Sequence, residues 1–219
     1  MSFTEILFSS CQKKPYSVKL RNRRDEVPNQ MLAKKLAEKK NKKGIREIVE
    51  NLWSENQNVQ SDCLKVLYEI GFLNPNLIAE YAGDFLKFLK SKNNRMVWGS
   101  MIALSTIAAI KAGEIYKHCE VIKGVMEKGS VITKDNGVKI LAIVASKHET
   151  YSKKIFPYLL KHLETCRPKD VPQHAEKTAV AVNAKNKTAF VRVLEKRMTD
   201  MKSSQTARVK KVIKEAERY

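Results

Sequence analysis

Glycine and proline are scarce here, eight and six residues in 219, which excludes collagen-like, linker-rich and low-complexity organisation. The four cysteines, Cys11, Cys63, Cys119 and Cys166, lie 52, 56 and 47 residues apart. They form no CxxC pair and are read as having no nearby histidine at zinc-ligand spacing, so reduced thiols are expected rather than a disulfide framework. Long apolar runs are missing as well. The longest mostly apolar stretch, Met101 to Ile110, is about half of the ~20 residues that a membrane helix requires. The opening segment MSFTEILFSSCQKK has Glu5 where a secretory signal would carry positive charge, and its apolar run is only Ile6 to Phe8. A cytoplasmic chain without a membrane span is the expectation. The histidines, His118, His148, His162 and His174, include no i,i+4 pair and no HExxH setting, so neither a metal site nor a cofactor is expected. Gly124 to Ser130, GVMEKGS, lacks the lysine that follows the second glycine of a phosphate loop. No catalytic residue emerges.

Positive charge, in contrast, is abundant. The formal net charge is +19, and 30% of residues are charged. Residues 1–46 hold 13 Lys/Arg against 4 Asp/Glu, and residues 185–219 hold 11 against 4, so the intervening segment is nearly balanced. Basic ends of this kind suit an acidic protein, a nucleic-acid backbone or an anionic surface.

The hydrophobic residues, 43% of the chain, recur with a period of 37. Stepping from Ile45 reaches Ala82, Cys119 and Phe156; from Ile48, Phe85, Ile122 and Leu159; from Leu52, Leu89, Met126 and Leu163. A second block runs Leu64, Met101, Val138, Ala175; Leu67, Leu104, Leu141, Thr178; Ile70, Ile107, Val144, Ala181. Only Thr178 breaks the apolar pattern. Spacings of three and four within each block place the residues on one helix face, so each unit is predicted to be two amphipathic helices that bury their stripes by stacking on neighbours. The predicted repeats are 43–72, 75–110, 112–147 and 149–184, within one domain spanning 29–219 and preceded by a basic arm, 1–28. A Lys-rich helix with Leu32 and Leu36 is expected to cover one end. Basic helices within 186–217, marked by Phe190, Val191, Leu194 and Met198 and by Val209, Val212, Ile213 and Ala216, are expected to cover the other.

These helix pairs resemble HEAT or armadillo-type repeats over residues 45–182. The resemblance implies an all-α fold, a right-handed α-α superhelix of about four two-helix repeats with basic capping helices. It is specific about fold and nearly silent about function.

Helical angles nominate a line facing away from the core of each second helix. It runs Asp62, Lys65 and Glu69; Gly99, Ile102 and Thr106; Asn136, Lys139 and Ile143; Gln173, Glu176 and Val180. Lys65, Ile102, Thr106, Asn136, Lys139, Ile143 and Glu176 are therefore the candidate groove for a protein or peptide partner. The alternative is that these side chains simply pack on adjacent helices. A second candidate, for nucleic-acid phosphates, combines Arg21, Arg23 and Arg24 of the arm with Lys92, Arg95, Lys134, Arg167 and Lys169 at the inter-helix turns; solvated turn lysines would look the same. Interleaved aromatics for base stacking are absent except Tyr16. The chain is also similar in size, basicity and repeat type to the HEAT-like DNA glycosylases, with Trp98 in the place of a cleft aromatic. That family also needs an acidic residue beside its aromatics, and here Ile102 lies one turn after Trp98 while Asp135 reads as a helix cap. A non-enzymatic binding scaffold is the leading expectation, with nucleic-acid binding second.

Overall fold

The computed structural model describes residues 26–219. These form twelve α-helices and six 3-10 turns, with no strand among the described residues. The described helices gather into two compact units, divided between Ile110 and Lys111.

In the first unit the helices are α1 (Val27–Glu38), α2 (Lys42–Glu50), α3 (Gln57–Leu73), α4 (Ala82–Phe88) and α5 (Asn94–Ile107). Asparagine starts three of them: Asn41, Asn56 and Asn93 accept from the backbone N–H of Gly44, Asn58 and Arg95 at 2.9, 2.9 and 3.0 Å. Each such cap satisfies one amide that has no partner within the helix. Pro28 occupies the first turn of α1, where its missing N–H costs nothing. Helix α3 packs against α1, α2 and α5, and α5 also packs against α4. The α3–α5 approach is close because glycine lines it: a Cβ at Gly99 would lie 2.6 Å from Leu64 Cδ2, and one at Gly71 would lie 2.8 Å from Ile78 Cδ1 and crowd the Thr106 side chain.

In the second unit the helices are α6 (Ala112–Lys117), α7 (Cys119–Lys128), α8 (Val131–Ala145), α9 (Glu149–Thr165), α10 (Val171–Thr178), α11 (Lys187–Arg197) and α12 (Ser203–Ala216). Helix α8 is central, touching α6, α7, α9 and α10, while α12 packs on α10 and α11 on α9. The end of α9 is closed by a side chain from another helix. The buried Arg197 guanidinium donates to the carbonyl oxygens of Leu163 and, at 2.8 Å, Cys166, while its Nε donates to Asp200 at 3.2 Å. A cation there satisfies carbonyls that the helix leaves unpaired and complements the negative end of its dipole.

All the residues of the 37-residue register are buried, from Ile45, Ile48 and Leu52 through to Ala175, Thr178 and Ala181. Thr178 is buried with the rest, at 0% exposure, and its hydroxyl has no hydrogen-bond partner among the described residues. Such a hydroxyl in an apolar layer costs about 1–3 kcal/mol. The C-terminal stripe differs from expectation: Phe190, Val193, Leu194 and Arg197 are the buried residues of α11, while Val191 and Met198 are half-buried. The reason is Arg197, whose pairing with the α9 carbonyls draws that edge of the helix inward.

Two substitutions test this packing by urea unfolding. Thr178→Val, nearly the same shape, should raise stability by about 1 kcal/mol. Gly71→Val should lower it by about 1–3 kcal/mol through overpacking, whereas Gly124→Ala, whose added methyl meets nothing within 4 Å, should be neutral or stabilising by up to about 1 kcal/mol.

Candidate functional site

The nominated groove line meets different fates in the two units. In the first, helix α1 covers its start. Asp62 accepts from Asn29 at 3.1 Å, and Lys65 is paired with Glu26 at 2.6 Å and Glu69 at 2.7 Å, with its ammonium 4.8 Å from the Tyr68 ring centroid. Burial pulls the Lys65 pKa down, but hydrogen bonds to Glu26 and Glu69 outweigh it and hold it above the ordinary lysine value. Lys65 is thus a packing cation rather than a groove cation, because the apolar stripe of α1 needs α3 as its cover. Thr106 and Gly99 are also corrected: both face α3, with Gly99 buried against Leu64 and the half-buried Thr106 set against Gly71. Ile102, between them on the same face of α5, stays half-buried.

In the second unit Asn136, Lys139 and Ile143 on α8 are half-buried, with the Asn136 amide donating to Ile132 O at 2.8 Å. Glu176 on α10 is exposed and clamps Arg208 of α12 through two bonds of 2.9 and 2.7 Å. The turn cations Lys92, Arg95, Arg167 and Lys169 are exposed and Lys134 is half-buried. Arg167 is committed to Asp170 at 2.7 Å. Arg21, Arg23 and Arg24 lie outside the described residues. Trp98 is half-buried, 6.4 Å from Tyr68 between ring centroids, and Trp53 is tilted against Phe88 at 4.6 Å.

Asp135 is not a helix cap. Ser130 caps α8, accepting from Thr133 N at 3.3 Å, and Asp135, one turn inside the helix, reaches across to α10. Its Oδ1 lies 2.8 Å from His174 Nε2, its Oδ2 accepts from Gln173 at 3.1 Å, and its carbonyl accepts from Lys177 Nζ at 3.0 Å. His174 is 2% exposed, and its Nδ1 faces His162 Nε2 of α9 at 3.0 Å. Cys166, just beyond α9, completes a cluster whose three ligand atoms lie within 4.8 Å of one another.

The network assigns the protons. A carboxylate only accepts, so His174 Nε2–H donates to Asp135; the Nδ1 of a neutral His174 must then accept, and His162 Nε2–H donates to it. Burial keeps both rings neutral. It lowers the His162 pKa to about 4, helped by the neighbouring His174 and Lys134, and it lowers that of His174 against the pull of Asp135. Burial likewise raises the Cys166 thiol above its usual range, with Arg197 opposing. The reading of the sequence missed this cluster because it sought histidine pairs. The available signal was mixed, His162 and Cys166 one helical turn apart, with His174 eight residues later.

No protein-family model and no curated protein matches the sequence. Solved structures do match in three dimensions. A designed armadillo repeat protein in complex with the peptide (KR)4 aligns with a TM-score of 0.71 at 14% identity, covering 99% of each chain. Computationally designed armadillo repeat proteins for modular peptide recognition align at 0.63 and 14% identity, covering 98% of this chain and 99% of that one. An engineered protein aligns at 0.66 and 17% identity, covering 99% and 97%. Likeness at these identities establishes the fold, which is the all-α, armadillo-like helical repeat. No helix among the described residues is long and apolar enough to cross a membrane.

The histidine pair has a pH consequence. Its folded pKa values lie below the unfolded value near 6.5, so between pH 6.5 and about 4 the unfolded chain binds protons that the folded one refuses. Stability should be full above pH 6.5 and fall through that window. Thermal melts with chelator present, from pH 7.5 to 5, should show this fall in the parent and a shallower one in His162→Gln.

Proposed function

We propose that the protein is a non-enzymatic repeat scaffold that holds an extended, acidic segment of a protein partner. The observation that carries this reading is charge sign on a known peptide-binding architecture. A similar designed armadillo repeat protein was solved with the strongly basic peptide (KR)4, and this chain, with a net charge of +19, has the opposite preference by simple electrostatics. Within the second unit the half-buried Ile143 and Lys139 of α8 supply an apolar and a cationic contact, and within the first the half-buried Ile102 of α5 supplies an apolar one. Exposed Lys92, Arg95 and Lys169 add steering at the turns.

The test is fluorescence anisotropy with labelled (DE)4, (KR)4 and duplex DNA at two salt concentrations. Binding of (DE)4 with no binding of (KR)4 is expected, weakened about tenfold, or ~1.4 kcal/mol, by Lys139→Glu or Ile102→Asp. Preference for DNA would overturn the peptide reading in favour of a nucleic-acid backbone. Engagement of about six phosphates would then give a log–log salt slope near −5, at ~0.9 per phosphate.

A further inference from the structure

We propose that His162, His174 and Cys166 form a binding site for a single zinc ion. This goes beyond the scaffold reading and does not depend on it. The first argument is proximity: His162 Nε2 of α9 and His174 Nδ1 of α10 face each other across 3.0 Å. Tetrahedral zinc with Zn–N of about 2.0–2.1 Å holds its nitrogen ligands ~3.3 Å apart, so the pair needs a few tenths of an ångström of opening and a turn of the rings that brings both lone pairs onto the metal. The Cys166 sulfur, already within 4.8 Å of a ring nitrogen of each histidine, must close to ~3.5 Å, the separation that a Zn–S bond of about 2.3 Å implies. Cys166 ends its helix in extended backbone, φ −69° and ψ 162°; its thiol makes a long contact of 3.8 Å to Leu163 O and also interacts with the Arg197 guanidinium, a contact that the movement has to loosen.

The second argument is the outer support. His174 donates its remote nitrogen to Asp135 at 2.8 Å, the carboxylate–histidine arrangement that fixes the ring and its tautomer for a metal. Asp135 is itself held by Gln173 and Lys177. Two imidazoles and one thiolate suit zinc better than oxygen-seeking cations. The fourth position faces a cleft of about 530 Å³ whose lining includes Lys134, Tyr158, Thr165 and Asp170, leaving room for water.

The binding step balances without redox chemistry. The proton that His162 shares with His174 moves through solvent to His162 Nδ1, the Cys166 thiol proton passes to water, and zinc takes the three lone pairs. One proton is released per ion.

The experiment uses the purified full chain and two probes, Co²⁺ by absorption spectroscopy and Zn²⁺ by competition with a chromophoric chelator. One equivalent of Co²⁺ should bind with a thiolate-to-metal charge-transfer band, and zinc binding should release one proton and raise Tm. Cys166→Ser should abolish the band and weaken zinc at least tenfold. Asp135→Asn should keep the band while weakening affinity by about 10–100-fold. Cys166 is half-buried and serine is smaller, so the far-UV spectrum should be unchanged in that variant. A band that survives in Cys166→Ser would place the metal on another cysteine and overturn the proposal. So would zinc binding equal in the parent, Cys166→Ser and His162→Gln, or no metal binding by the folded parent.

Discussion

The structure depends on one constraint: a helix with apolar residues on most of its circumference has to be surrounded. Helix α3 buries Cys63, Leu64, Val66, Leu67, Tyr68, Ile70 and Gly71, and α8 buries Thr133 and most positions from Gly137 to Ala145. No single partner can cover such a surface. Each of these helices therefore sits among three or four neighbours within its own unit, and the outer helices can remain amphipathic and basic because they cover one side only.

The same constraint separates what was legible in the sequence from what was not. Apolar recurrence reports burial directly, so the register from Ile45 to Ala181 was readable, and even the dissenting Thr178 is buried with its layer. Angular reasoning then failed for Lys65, Gly99 and Thr106, because it treated the side opposite the core as open when it was the seam with the next helix. Glycine at 71 and 99 was the available hint, since a helix that gives up side chains along one edge brings another backbone close. Asp135 was misread for a related reason. Its local setting, Thr-Lys-Asp-Asn-Gly, suits a cap, but its partners are 38 to 42 residues away, beyond anything that local pattern can report.

Charge follows a different logic from burial. Surface pairs such as Lys153 with Glu149 at 3.4 Å contribute little and are screened by salt. The cations that shape the structure are those taken out of water, Lys65 beneath α1 and Arg197 beneath the end of α9. Both are held by several partners, as removal of a charge from solvent demands. The remaining excess of positive charge is thereby free to set the long-range field that a partner meets first.

Arg197 makes the C-terminal end of α9 dependent on α11. Its fork reaches two carbonyls and one carboxylate at once, a geometry that lysine cannot copy. Proteolytic clipping between α9 and α11 followed by loss of the tail would therefore not be a local injury. It would unplug the terminus of a helix more than thirty positions upstream, at the residue whose sulfur stands beside the two imidazoles, so the integrity of the tail sets how well that corner of the molecule is ordered.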